Sequence, residues 1–365
     1  MTAAHVRLPP RTRRGVLHWL RRNLFNTWYN ALLTVGALYL IVVALKAIIG
    51  WALVDAVWTG SNEECRAAIG DGACWSVIGV KLRFILFGTY PFEEQWRPML
   101  AVALFVAMAV ISSWRVLWSR TLVLGWVFLL VVLGFLMRGG VLGLMSVPTE
   151  QWGGLPVTIM LAAIGVTLSL PLAFLLALGR RSTMPLIRAL SIGYIEVVRG
   201  VPLISVLFMS SVMFPLFLPE GITIDKLLRA QVGIILFSAA YLAEVVRGGL
   251  QAVPAGQYEA ADALGLGFWR KTRLVVMPQA VRHVIPPMVN SFIATFKDTS
   301  LVVVIGLYDL LHAARTATNE PTWRAFTTEA YIFVALIFFI CCFAMSRYSR
   351  RLEAAPGNKG ERAAS

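Results

Sequence analysis

Charged residues are scarce in this sequence of 365 residues. They make up 14% of the chain, while apolar residues make up 58%; soluble proteins have about 25% charged and about 45–50% apolar residues. This composition excludes an ordinary water-soluble domain and calls for a count of membrane-spanning segments. Acidic residues are fewer than basic residues, 19 against 33, which gives the chain a net charge of +14. Because basic residues collect at the cytoplasmic flanks of membrane helices, this charge does not indicate a nucleic-acid partner.

Nucleotide-binding and catalytic motifs are also missing from the sequence. No Gly-x-x-x-x-Gly-Lys-Ser/Thr loop occurs, so the chain has no Walker-type cradle for nucleotide phosphates. No zincin motif, nucleophile elbow or histidine cluster supports a membrane-embedded enzyme, and no metal ligands are predicted. The sequence therefore predicts a non-catalytic membrane protein without a cofactor of its own.

The apolar segments predict an all-α integral membrane protein with about eight transmembrane helices, because a hydrocarbon core of about 30 Å needs around 20 residues. The first apolar run is longer than a signal-peptide core of about 7–15 residues, so we expect it to be a retained span. The predicted spans are Tyr29–Ile49, Pro98–Trp114, Thr121–Met137, Leu155–Leu178, Val201–Leu218, Ala230–Val246, Ile285–Leu307 and Ala330–Met345.

The distribution of basic residues predicts the orientation of these spans. When the N-terminus is placed in the cytoplasm, 22 of the 33 Lys and Arg residues fall on the cytoplasmic side and 9 on the other. We therefore expect both termini to be cytoplasmic. The predicted organisation is a basic cytoplasmic N-terminus (1–28), an extension with three spans and an extracytoplasmic loop (29–150), a five-helix core (151–348) and a cytoplasmic tail (349–365).

Four cysteines form two unlike pairs. Cys65 and Cys74 lie in the predicted extracytoplasmic loop, where thiols oxidise, so we expect a disulfide between them. The alternative is two unpaired buried thiols, because geometry decides whether a bridge can form. Cys341 and Cys342 are adjacent in an apolar run, and a lipid-facing or packed apolar role is expected for them.

The segment 247–283, between the sixth and seventh predicted spans, has the pattern of a short helix, a turn and a second helix. Pro254 suits a helix start, and Gly265 with Gly267 suits its end. Tyr258, Ala261 and Leu264 are spaced to form one apolar stripe. The second helix begins near Phe268, and we expect Pro278 to interrupt it before the chain enters the bilayer. On physical grounds alone, the segment could equally be a surface amphipathic element.

The residues of this segment resemble a known family pattern. Glu259-Ala260-Ala261, then Gly265, then Val275-Val276-Met277-Pro278 after nine residues are similar to the EAA loop of ABC-type import permeases. Glu196-Val-Val-Arg-Gly-Val-Pro-Leu203 and Lys297-Asp-Thr-Ser-Leu301 resemble segments of the polar amino acid uptake permeases. The resemblance covers about Gly153 to Tyr348 and implies a type I ABC importer permease core in a bacterial inner membrane. The extension, together with Tyr241-Leu-Ala-Glu-Val-Val-Arg-Gly-Gly-Leu250, is most similar to the M subunit of the general L-amino acid permeases.

The resemblance implies the partners and the role of the loop. In that family the projecting helix docks into an ATPase dimer, which binds ATP and Mg²⁺, and the permease pairs with a second, homologous permease and receives amino acids from an extracytoplasmic binding protein. Glu259 would pair with partner cations, and Ala260 and Ala261 would be small enough for close approach. Gly265 would permit the turn, and Pro278 would set where the chain bends into the bilayer. A simpler role for Glu259 is a favourable interaction with the dipole of its own helix.

Ionisable residues at membrane depth predict the substrate path, because a charge there is tolerated mainly beside partners or water. Lys297 and Asp298, with Thr299 and Ser300, could supply a cation and an anion to a zwitterionic amino acid. The alternative is a salt bridge that holds a helix break. The function predicted overall is import of amino acids, of broad-range L-type, driven by a separate ATPase. The competing class is an ion-gradient-driven secondary transporter, whose inverted repeats are not apparent here.

Overall fold

The computed structural model describes residues 16–114, 117–141 and 143–353, so the basic N-terminal residues before 16 and the predicted tail after 353 lie outside the described residues. The described residues up to Ser76 form one compact unit, and those from Val77 form a second. The α-helices are α1 (Val16–Asn23), α2 (Trp28–Ile49), α3 (Asn62–Ala67), α4 (Ser76–Phe87), α5 (Trp96–Ser112), α6 (Arg120–Arg138), α7 (Gly154–Arg180), α8 (Pro185–Gly200), α9 (Leu203–Phe208), α10 (Lys226–Ala252), α11 (Ala255–Ala263), α12 (Phe268–Lys271), α13 (Met277–Asp298), α14 (Leu310–Ala317) and α15 (Thr327–Glu353).

Among the described residues, seven helical segments are long and apolar enough to cross a membrane, and they confirm seven of the predicted spans. They are Trp28–Val54, Phe92–Ser112, Arg120–Arg138, Gly154–Arg180, Lys226–Ala252, Phe268–Ile305 and Arg324–Arg351.

The predicted span Val201–Leu218 is not one straight helix. It belongs to a pair of helical segments, Pro185–Gly200 and Leu203–Phe217, which bend by 102° at the break between them. Pro202 has no N–H for a helical ladder, and it holds Val201 in an extended conformation with φ −107° and ψ 135°. If this bent pair is counted as a single crossing, the part of the chain that the structure describes contains eight spans.

The first unit contains α2 and a small disulfide-closed loop. No residue of α2 is buried, and the helix continues into a π-helical turn, Gly50–Val54. Ser61 and Glu64 then form a capping box at the start of α3, which satisfies two free backbone N–H groups. Cys65 and Cys74 are joined by a disulfide with their Cα atoms 5.4 Å apart.

In the second unit, α7 packs along α10 and forms the centre of the helical core. The contact is close because α7 carries Gly165 there, where a Cβ atom would lie 2.8 Å from Ile234 Cγ2. Trp152, Leu161 and Ile305 belong to the apolar cluster around this contact. Cys341 and Cys342 are half-buried free thiols and pack beside a second cluster, which agrees with the packed apolar role expected for them.

A fully buried arginine caps the end of α6. Arg97, near the start of α5, donates to the carbonyl oxygens of Leu136 at 2.7 Å and Met145 at 2.8 Å, and its side chain is 0% exposed. Glu94 lies 3.5 Å away from the same guanidinium. The last carbonyls of a helix have no partner within the helix, and a cation there also opposes the helix dipole. Arg97 therefore ties the start of α5 to the end of α6 through hydrogen bonds.

A buried aspartate starts α14 on the predicted extracytoplasmic side. The Asp309 carboxylate accepts hydrogen bonds from the backbone N–H groups of Leu311 and His312, both at 3.0 Å. Burial raises the pKa of the Asp309 carboxyl to about 6, although these hydrogen bonds oppose the rise. An unfolded aspartate titrates near 4, so the native chain binds this proton more tightly than the unfolded chain does. The contribution of Asp309 to stability is therefore lost as pH rises from about 4 to about 6.

Replacing Asp309 with asparagine is expected to stabilise the protein at neutral pH. The asparagine side chain would carry no charge to bury, but it would keep only one of the two oxygens that accept from Leu311 and His312. The expected gain in unfolding free energy is therefore below the about 3 kcal/mol that the pKa shift alone would give at pH above about 7, because a lost hydrogen bond costs about 1 kcal/mol, and it is much smaller below about pH 4.5. Thermal unfolding of the purified wild-type and Asp309→Asn proteins at both pH values measures it. An equal shift at the two pH values would contradict the burial argument.

Candidate coupling site

The segment between α10 and α13 presents α11 as a short helix with well-defined ends. Pro254 stands at its start with φ −55° and ψ 140°, which agrees with the predicted helix start. Gly265 ends it with φ +69°, a left-handed conformation that favours glycine. Gly265 N–H donates to the Asp262 carbonyl at 2.9 Å and Leu266 N–H to the Ala261 carbonyl at 3.1 Å, so the end is a Schellman motif.

The exposure of the Glu-Ala-Ala residues differs along α11. Glu259 and Ala260 are exposed, and Glu259 forms no ion pair within the described residues. Ala261, in contrast, is 2% exposed. Its small side chain therefore packs inside the chain, and its role toward a partner stays a prediction. Leu264 is 79% exposed and follows the end of the helix at Ala263, so it does not pack with Ala261 as part of one buried stripe.

Pro278 does not interrupt the second helix as predicted. The helical segment Phe268–Ile305 is continuous, with a π-helical turn, Thr272–Val276, between α12 and α13. A π turn has a wider ring of hydrogen bonds than an α turn, and Pro278 follows it as one of the first two residues of α13. The missing N–H of Pro278 thus falls where the hydrogen-bond ladder is already displaced.

A tyrosine fixes α11 to the rest of the chain. The Tyr258 hydroxyl donates to the Leu250 carbonyl at 2.8 Å and accepts from Arg181 Nη1 at 2.9 Å. Arg181 Nη1 also donates to the Leu250 carbonyl at 3.0 Å, and its guanidinium lies 5.1 Å from the Tyr258 ring centre. These contacts join the start of α11 to the ends of α7 and α10.

A cluster of three arginines and two glutamates lies beside this contact. Glu244 of α10 is 2.8 Å from Arg180, 2.7 Å from Arg247 and 3.5 Å from Arg199. Arg180 is also 2.9 Å from Glu196 of α8. The Glu244 side chain is 15% exposed, so its charge is balanced by several cations in a partly dry position. The cluster connects the ends of α7, α8 and α10.

Sequence reasoning missed this cluster, although a signal for it is present. The pentapeptide Glu-Val-Val-Arg-Gly occurs twice, at 196–200 and at 244–248. The structure brings the two copies together, with Arg199 of the first copy 3.5 Å from Glu244 of the second. An exact repeat of two charged residues at the ends of two apolar helices was the available clue.

The predicted substrate-path residues lie where α13 passes into a 3₁₀ helix, Thr299–Ile305. Lys297 is exposed and Asp298 is half-buried, and neither takes part in an ion pair within the described residues. The helix-break salt bridge is therefore not formed in this structure. Thr299 is fully buried, and its hydroxyl donates to the Phe296 carbonyl at 2.7 Å. The Ser300 hydroxyl donates to the Lys297 carbonyl at 2.8 Å.

Comparison with known proteins decides the family. The model of the binding-protein-dependent transport system inner membrane components matches residues 169–355. This chain belongs to that family. It is therefore an ABC importer permease, and the family excludes the ion-gradient-driven transporter considered above. With its spanning helices, the permease is a multi-pass protein of the bacterial inner membrane.

Two relatives match the permease over nearly its whole length. The inner membrane amino-acid ABC transporter permease protein YhdY of Escherichia coli (strain K12) is 49% identical over 338 residues, which cover 92% of this chain and 91% of the relative. The glutamate/glutamine/aspartate/asparagine transport system permease protein BztC of Rhodobacter capsulatus is 38% identical and 93% covered in both directions. The probable glutamine ABC transporter permease protein GlnP of Bacillus subtilis (strain 168) is 34% identical over 55% of this chain and 91% of its own length. Permeases of this kind therefore exist at two lengths.

Proposed function

We propose that this permease imports L-amino acids and draws its energy from a separate ATPase dimer that binds ATP and Mg²⁺. The observation that carries the proposal is α11, a short helix between two helices of membrane-spanning length that is held by the Tyr258 hydrogen bonds and exposes Glu259 and Leu264. An exposed helix that is bonded to neighbouring spans can transmit a movement of a bound partner to them. The printed names of the relatives, which are amino-acid permeases, support the choice of substrate.

The orientation follows from the charge asymmetry. We propose that α11 and both termini lie in the cytoplasm, because 22 of the basic residues fall on that side. The disulfide-closed loop then lies outside, where disulfides persist. In this orientation α11 meets an ATPase in the cytoplasm, and the opposite ends of the spans meet an extracytoplasmic amino-acid-binding protein.

The assembly we propose contains a second, homologous permease rather than a second copy of this chain. The support is the long extension before the core, which resembles the M subunit of the general L-amino acid permeases. The substrate range would be broad, as in the relative whose name includes acidic residues and their amides.

For the path itself, we propose that Lys297 and Asp298 receive the carboxylate and the ammonium of the amino acid. Both are ionisable, neither is in an ion pair within the described residues, and Lys297 is exposed. A charge at membrane depth is costly unless water or a partner compensates it. Thr299 contributes through packing, because its buried hydroxyl already donates to a backbone carbonyl.

Uptake into proteoliposomes tests the proposed function. The complete complex, with its ATPase and binding protein, is reconstituted and given a radiolabelled mixture of common L-amino acids. We expect accumulation that requires ATP on the ATPase side and that persists when ionophores remove all ion gradients. Uptake that continues without ATP and stops with the ionophores would overturn the proposal.

A further inference from the structure

Two consecutive arginines at the end of α7 bind two different parts of the permease. Arg180, the last residue of α7, contacts Glu196 of α8 at 2.9 Å and Glu244 of α10 at 2.8 Å. Arg181, the next residue, contacts Tyr258 of α11 at 2.9 Å. Successive residues of a helix point about 100° apart, so the end of α7 reaches both the charge cluster and the projecting helix.

The contact with α11 depends on one hydroxyl group. Tyr258 Oη donates to the Leu250 carbonyl and accepts from Arg181, while Arg181 donates to the same carbonyl. The three groups form a closed triangle of hydrogen bonds with lengths of 2.8, 2.9 and 3.0 Å. A triangle of this kind resists sliding of α11 along α7, because a displacement of Tyr258 disturbs both of its hydrogen bonds at once.

The second set of contacts, those of the charge cluster around Glu244, leads to the bend between α8 and α9. Glu196 lies four residues before the end of α8, which is followed by the extended Val201 and by Pro202. Arg199, in the last turn of α8, reaches Glu244 at 3.5 Å. The direction of α8 where it meets α9 is therefore held by ion pairs with Arg180 and Glu244, and the angle at that junction is 102°.

We propose that Arg180 and Arg181 transmit the displacement of α11 to α8, and so to the bend where α9 enters the membrane. In this relay Tyr258 and Arg181 hold α11, while Arg180 and Glu196 hold α8. These are positioning residues, which act on transport through the helices that they join. The proposal rests on the proposed function, in which α11 receives the movement of the ATPase.

The charged side chains of the relay are partly exposed, unlike side chains that pack inside the core. The Glu196 side chain is 56% exposed, and that of Arg180 is 22% exposed. Ion pairs at such a surface contribute little to stability, so loss of one arm should leave the permease folded. Their geometry can nevertheless fix the direction of α8, because two ion pairs from Arg180 define its position relative to both α8 and α10.

The test compares Tyr258→Phe and Arg180→Gln with wild type in the reconstituted full complex. Tyr258→Phe removes the hydroxyl and keeps the ring, and Arg180→Gln leaves Arg199 and Arg247 beside Glu244. We expect either variant to retain binding-protein-stimulated ATP hydrolysis and to lower the amount of labelled L-amino acid taken up per ATP about fivefold. Since both act on one relay, the double variant should show no more than the larger single effect.

Tyr348→Phe is the matched control. Tyr348 of α15 donates through its hydroxyl to the Ser112 carbonyl of α5 at 3.1 Å, so the same atom is removed from the same kind of bond, between two helices that are not part of the relay. The control should keep the wild-type ratio of uptake to hydrolysis. A ratio that falls equally in Tyr348→Phe, or that stays at the wild-type value in both relay variants, would overturn the relay.

The relay and the coupling role of α11 fail in different ways. If Glu259→Lys also leaves hydrolysis and uptake unchanged, α11 is not the contact with the ATPase, and the proposed function fails with the relay. If Glu259→Lys stops both activities while Tyr258→Phe and Arg180→Gln transport as wild type, the movement reaches α8 by another route. Size-exclusion chromatography of each variant shows whether its complex is assembled, so that each measured activity belongs to an intact complex.

Discussion

Glu259→Lys is expected to abolish binding-protein-stimulated ATP hydrolysis together with amino acid uptake. Glu259 is exposed on α11 and forms no ion pair within the described residues, so its carboxylate is free for a cation of the ATPase. Loss of one partner from a buried charge pair costs about 2–5 kcal/mol, which weakens binding by roughly thirtyfold or more, and a lysine adds repulsion between like charges. Stimulated hydrolysis and uptake of the reconstituted complex are measured together.

Two companion variants make this result specific. Glu259→Gln keeps the shape of the side chain without its charge and should weaken ATPase binding less than the reversal does. Glu353→Lys changes the net charge by the same amount at the last residue of α15, on the side proposed to be cytoplasmic, and should transport as wild type. If Glu259→Lys has the activity of the Glu353→Lys protein, the carboxylate does not face the ATPase.

Arg97→Met is expected to cause the largest loss of stability. Its guanidinium is completely buried and donates to the carbonyls of Leu136 and Met145. Methionine fills a similar space but leaves these carbonyls without a donor, and Glu94 loses the cation 3.5 Å away. Loss of one partner from such a buried network costs about 3–5 kcal/mol. Thermal unfolding of the purified permease in detergent should show a clearly lower melting temperature.

The control for Arg97→Met lies at the end of the same helix. Arg138 is the last residue of α6, and its side chain is exposed. Arg138→Met removes the same charge and should leave the melting temperature nearly unchanged, as is usual for exposed surface positions. Equal shifts in the two variants would show that net charge, rather than the buried hydrogen bonds, determines stability.

Local rules predicted the parts of the permease that depend on neighbouring residues. Composition gave the spanning helices, and Pro254 and Gly265 marked the two ends of α11, because each residue has a backbone preference that acts locally. The positive φ of Gly265 is the expected result. The break at Pro202 also had a local cause, although its angle of 102° did not follow from the sequence pattern.

The remaining features depend on contacts between distant segments. The burial of Ala261 and the exposure of Leu264 are set by what packs on α11 and by where that helix ends. Arg180 and Glu244 are 64 residues apart, so no local period could pair them. The helix rule for Pro278 failed because a π turn displaced the hydrogen-bond ladder before that residue.

The same π turn gives a geometric meaning to the length of the chain between Gly265 and Pro278. A π turn holds about one residue more than an α turn, and each residue of an α-helix adds about 100° of rotation. Deletion of one residue within Thr272–Val276 would therefore replace the π turn by an α turn and leave the rotation of α12 relative to α13 nearly unchanged. Deletion of one residue within Phe268–Lys271 would instead turn the preceding chain by about 100° relative to α13. The nine residues between Gly265 and Val275 thus set a helical phase in which the π turn absorbs one residue, and under the proposed function the direction in which α11 would meet the ATPase depends on that number of residues.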